Sequence, residues 1–223
     1  MSVIINGDSV ITSPLSVGFG GGNITTNTAA GLSALAANTT GIQNTAIGNT
    51  ALTSNTTGSQ NTAVGRGSLY SNVVGTSNTA VGQNSLNNNT ASNNTAVGRD
   101  ALLSNTTGTP NDAFGYQALY SNTTGTNNVA VGYQSLQLNT TGAANTGVGT
   151  WALNGNTTGV SNTAFGAESL YTNSTSNYNT AVGFRSLYAN TAANNTSVGY
   201  ASLRNNTSGT PNDAFGFQAL YNN

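Results

Sequence analysis

One short unit recurs twelve times between Asn27 and Asn223, at an almost constant period. Its centre reads N-T-A-V-G at 61–65, 78–82, 94–98 and 179–183. The closing glycines are Gly31, Gly48, Gly65, Gly82, Gly98, Gly115, Gly132, Gly149, Gly166, Gly183, Gly199 and Gly216; nine of their intervals are 17 residues and two are 16. A unit this small cannot bury a core by itself. The chain is therefore confined to stacked, self-similar turns in which each unit leans on its neighbours.

Counting from that glycine, every unit carries Asn four residues before it, as at Asn27, Asn44 and Asn61, and Leu four after it, as at Leu35, Leu52 and Leu69. A second Asn column lies seven residues after it, as at Asn38, Asn55 and Asn72. Three after it stands only Ala or Ser, and one before it stands Val, Ile, Ala or Phe. A second glycine closes most N-T-T-G segments, as at Gly41 and Gly58. The segment T-G-T-P-N-D-A-F-G occurs at 107–115 and again at 208–216, so a six-unit block has been copied once.

T-A-V-G alternates small and β-branched residues, the mark of a short strand. Asn and Gly tolerate the left-handed conformation, so their columns are expected at the corners of each turn. The expected fold is all-β: a parallel β-solenoid, or β-roll, of twelve ~17-residue coils over residues 27–223. Coils about 4.8 Å apart give a rod of roughly 55–60 Å. Asn over Asn predicts amide ladders, and the Leu and Val columns predict a dry seam. An α-solenoid conflicts with the period, the 28 glycines and the β-branched bias. Apolar residues are only 36% of the chain, so the core is thin. Shared burial would help it, which predicts a homotrimer with Leu or Val facing the axis; a monomeric solenoid held by its Asn ladders is the alternative.

Composition removes much chemistry. The chain has no Cys and no His, four Arg, no Lys and five acidic residues, and its net charge is -1. Zinc sites and His-based nucleophile activation lack their usual residues. Nucleic acid and anionic membranes have no basic surface to meet. No apolar run reaches the length of a membrane span, and the N-terminus lacks a basic, then apolar, secretory signal. No cofactor or metal is expected. Glu168 is the only Glu, which speaks against a paired-carboxylate glycosidase. The N-T-T and N-T-S glycosylation triplets follow from the repeat and are incidental.

The segments N-V-A-V-G-Y-Q-S-L at 128–136 and N-D-A-F-G-Y-Q-A-L at 111–119 resemble the head repeats of trimeric autotransporter adhesins. That resemblance implies a left-handed parallel β-roll trimer over 27–223. The family unit is usually shorter, and the family's secretory signal, heptad stalk and membrane anchor have no counterpart here. The N-T-A-V-G repeats are also similar to repeats in phage and viral tail-fibre proteins, and the opening I-I-N-G-D to starts of tail-associated proteins.

Residues 1–26 do not follow the repeat and form either a cap or a docking segment. Its candidate assembly residues are Val3, Ile4, Ile5, Asn6, Asp8 and Phe19, with Phe19–Gly22 read as a flexible hinge. Tyr falls in two columns, one after the glycine (Tyr116, Tyr133, Tyr200) and five after it (Tyr70, Tyr120, Tyr171, Tyr188, Tyr221). These rings either pack between coils or chains, or contact glycans. Trp151 is read as packing. Arg99-Asp100 and Arg185 are read as surface or inter-chain ion pairs. Asp112 and Asp213 share one column of matching units and are read as a ladder variation.

The expected role is a non-enzymatic structural fibre or adhesion protein, such as a phage tail fibre or virion appendage. Its expected place is on a virion or outside the cell. Its expected partners are itself, other virion proteins through the N-terminal segment, and a host surface receptor, including glycans. A self-assembling extracellular filament, joined through an uncapped end, is one alternative. An ice-binding solenoid presenting the Thr45, Thr62, Thr79 and Thr95 column is another, although Asp112, Val129 and Asp213 interrupt it.

Overall fold

The computed structural model describes residues 17–223. Val3, Ile4, Ile5, Asn6 and Asp8 lie outside the described residues. Strand β1 (Val17–Gly18) runs antiparallel to β2 (Thr28–Ala30). From β2 to β13 (Asn212–Phe215) twelve short strands pair in parallel, each with the next in sequence, in one continuous sheet. About eleven turns of chain separate them, so the fold is an all-β parallel β-solenoid. Like pairs with like throughout: Thr45 with Thr62, Ala46 with Ala63, Ile47 with Val64. The two 16-residue intervals keep this register, as Thr79–Thr95 and Thr180–Thr196 show.

The alternation works as the pattern requires. From β2 to β13 the inward residue, Ala in ten strands as at Ala63, Ala113 and Ala164, Gly147 in β9 and Ser197 in β12, is buried, while its two neighbours point outward. Eleven of the twelve column leucines, Leu35 to Leu203, are fully buried inside the coils. Burying each contributes about 1.5–3 kcal/mol. The Ala/Ser column and both Asn columns complete the interior. The Val column is therefore not part of the seam. It stands on the outer sheet face, where Ile47, Val81, Phe114, Phe165 and Phe215 are exposed. Leu cannot face an inter-chain axis, because its own coil encloses it.

The buried asparagines form two ladders. In the first, the backbone N–H of each Asn donates to the side-chain oxygen of the Asn one coil below: Asn44 to Asn27 at 2.8 Å, Asn61 to Asn44 at 3.0 Å. In the second, the amide nitrogen donates to the oxygen below: Asn55 to Asn38 at 2.9 Å, Asn139 to Asn122 at 2.8 Å. The ladders share an acceptor. The Gly41 carbonyl takes amides from both Asn27, at 2.8 Å, and Asn38, at 3.0 Å. Apart from the Asn72 side-chain oxygen, the buried amides are thus satisfied within the stack, as burial demands.

The corners are only partly where the sequence suggested. The column glycines do take positive φ, but the invariant Asn columns do not. The left-handed residues are the leucines, with φ from 48° to 51°, the residues two after the glycine, as at Thr50, Gln134 and Glu168, and the residues just before the first Asn column, as at Gln43, Gln60 and Tyr178. The column glycines sit at φ from 125° to 140°, where a side chain is strained. A Cβ on Gly115 would also lie 2.4 Å from the Gly132 carbonyl oxygen. Gly41 and its equivalents are needed for another reason. Their φ is not positive, but a Cβ on Gly41 would stand 2.2 Å from the Gly58 carbonyl oxygen.

Gly20–Gly22 do not form a hinge. They lie against the first coil: the Gly21 N–H donates to the Leu35 carbonyl at 2.9 Å, and a Cβ on Gly21 would sit 2.5 Å from the Ala36 carbonyl oxygen. With β1 they cover the end of the stack. Phe19 is exposed beside them.

Candidate functional site

Aromatic and charged side chains gather on the lateral wall that follows each strand. Three columns build it: the positions one, two and five after the glycine. Their side chains meet, because the guanidinium of Arg185 lies 4.9 Å from the ring centre of Phe184 and 5.6 Å from that of Tyr188.

In the first column Tyr116 stacks on Tyr133, with centroids 5.3 Å apart and planes 17° apart. Farther along, Tyr200 is sandwiched between Phe184, at 5.5 Å, and Phe217, at 5.2 Å. In the five-after column Tyr171 stacks on Tyr188 at 5.2 Å and 5°. Arg204 then lies between Tyr188 and Tyr221, 5.2 and 5.6 Å from their centres, and donates to the Tyr221 hydroxyl at 3.0 Å. The structure thus brings Tyr116, Tyr133, Tyr171, Tyr188, Tyr200 and Tyr221 into contact with other rings or with arginine. Tyr70 is exposed and Tyr120 half-buried, and neither joins a stack. Stacks at one coil rise cover the ring faces and leave the edges outward. A sugar needs a ring face, so most of these tyrosines are committed to inter-coil packing.

Amides extend the wall. Gln134 donates to the Gln117 side-chain oxygen at 2.9 Å, as does Gln137. Asn154 donates to the Gln134 backbone carbonyl at 2.9 Å and to the Gln137 side-chain oxygen at 3.2 Å. The indole nitrogen of Trp151 donates to the Gln134 side-chain oxygen at 2.8 Å.

The ion pairs lie within the chain. Arg99 meets Asp100 at 3.2 Å, and Arg185 meets Glu168 in the coil below at 2.8 Å. The hydrogen bond to Glu168 raises the Arg185 pKa above its ordinary value, so that guanidinium stays charged. Asp112 and Asp213 are exposed on the sheet face in the Thr column, which agrees with a ladder variation. Among the described residues no group of acidic side chains is placed to hold a metal ion, and no helix is long and apolar enough to cross a membrane.

Two residues on the surface were not singled out by column counting. Tyr178 is 61% exposed, and Trp151 is 37% exposed on the wall. Both fall outside the two Tyr columns. The one signal for Trp151 was its being the sole Trp. No family model matches this chain, and neither do curated proteins or solved structures.

Proposed function

We propose that this chain is the rigid shaft of a non-enzymatic fibre or adhesion protein, a homotrimer on a virion or outside the cell that contacts a host surface. The observation that carries this reading is the unbroken register of identical columns from Thr28 to Phe215. Length in such a molecule is set by repeat number, and stiffness by continuous ladders. The similarity of its repeats to adhesin heads and tail fibres adds to that. The outer row of Val, Ile and Phe is the apolar surface that parallel chains would share, since the leucines are enclosed.

Native mass measurement with negative-stain microscopy tests the reading. The expected species has three times the 22.3 kDa chain mass and forms rods of one length. A monomer that forms no rods would overturn it, and indefinite fibres would favour a filament subunit.

A second reading rests on the Thr column, which stands on the outer sheet face beside Val at regular spacing. Such a lattice suits an ordered surface such as ice. Absence of thermal hysteresis removes it.

A further inference from the structure

Trp151 interrupts the pattern of the wall. It rises from the coil above Tyr133, and its backbone N–H donates to the Tyr133 carbonyl at 2.9 Å. The Tyr116 and Tyr133 rings are nearly parallel and about one coil rise apart. Trp151 stands at 80° to Tyr133 with centroids 6.0 Å apart. The two rings therefore meet edge to face. Neither indole face is closed by a ring from the next coil. The hydrogen bond to Gln134 fixes the ring's rotation.

The neighbouring positions leave room. The column one after the glycine reads Tyr133, Thr150, Ala167, Phe184. Two small residues thus separate two aromatic ones, over a span of about 14 Å. Thr150 is exposed in this notch. Glu168 follows Trp151 in its own column, and its carboxylate is held by Arg185 at 2.8 Å. The notch so combines a part-exposed indole, an exposed threonine and a carboxylate fixed in place, with its charge compensated. An aromatic platform ringed by a few oriented polar groups is the recognition chemistry of a neutral sugar.

We infer that Trp151, with Thr150 and Glu168, forms a subsite for a neutral hexose-type saccharide between Tyr133 and Phe184. The inference rests on the reading of the chain as a surface-contacting adhesion protein, and names the place of contact. A single such subsite binds weakly, and repetition across the three chains of that proposed trimer would supply avidity.

Because Trp151 is the only Trp, its emission reports on the subsite directly. The full chain is titrated with chitohexaose, maltohexaose and mannohexaose, and binding is checked by calorimetry. The expected result is a saturable emission change with at least one of them. Trp151→Ala should weaken that binding about tenfold or more, Trp151→Phe should restore part of it, and Tyr70→Ala, five coils away, should leave it unchanged. Ala201 already occupies the Trp151 column at the same left-handed φ, so Trp151→Ala is compatible with folding. Binding that survives Trp151→Ala overturns the subsite and leaves the adhesion reading standing. No binding of any of the three also overturns the subsite. The mass and microscopy measurement then decides the fibre reading separately.

Discussion

Leucine is a costly occupant of the left-handed region, yet this chain puts it there in every coil. The backbone penalty is roughly 1–2 kcal/mol per residue. Burial of the side chain contributes about 1.5–3 kcal/mol, so each position nets a small gain and only when the next coil covers it. Leu119 is an example, fully buried at φ 51°. Volume alone does not explain why Leu rather than Ile or Val fills the column. At positive φ a branch at Cβ crowds the backbone more than a branch at Cγ, a strain that the chain bears once, at Thr50 among the described residues. Leu119→Met should therefore cost less than about 1.5 kcal/mol, as volume-conserving swaps do. Leu119→Ile should cost at least about 1 kcal/mol more than Met. Urea unfolding of the two variants measures the difference, and equal midpoints would refute the account.

At the scale of the coil, the period was legible because the stack repeats the same contacts. Strand position and the existence of Asn ladders follow from counting residues from the glycine. The location of the left-handed corners did not. Asn is the residue that commonly takes positive φ, but at Asn61 and Asn72 its amide is used inside, and Leu69 takes the corner instead. The inward Ala and the outward Val row were equally hidden, because a strand of three residues does not reveal whether its centre or its two ends face in. Trp151 was hidden because its role depends on the rings of adjacent coils.

At the first short interval the ladder has a visible fault, whereas at the second Asn190 still donates to Asn173, at 3.3 Å. Between Asn89 and Asn94 one residue is missing, and the Ala91 carbonyl replaces the usual Gly carbonyl as acceptor, at 2.8 Å from both Asn78 and Asn89. Asn89 does not donate to Asn72, and the Asn72 side-chain oxygen is the one buried side-chain polar atom without a partner among the described residues. Inserting a Gly between Ala91 and Ser92 restores the common length. The Asn72–Asn89 bond should then form and stabilise the chain by about 0.5–1.5 kcal/mol. A chemical-denaturation midpoint that does not rise would show that the fault is not a matter of length.

Across the whole molecule, each coil touches only the coils above and below, so stability is close to a sum of unit and interface terms. Among the described residues strand order equals sequence order, and no strand pairing closes the rod on itself. Units should then be removable in whole numbers. Deleting 116–132 joins Gly115 to Tyr133 and places the coil of Gly149 on that of Gly115, with Ala, Leu and both Asn columns still aligned. The variant should keep the far-ultraviolet spectrum of the parent, per residue, and shorten the rod by about 4.8 Å in solution scattering. Deleting 116–123 instead removes about half a turn. It sets Leu and Asn against the wrong columns, leaving buried amides unpaired and apolar residues outside. That chain should lose cooperative unfolding and aggregate. If both deletions behaved alike, the columns would not be what holds the coils together, and length could not be a matter of repeat number.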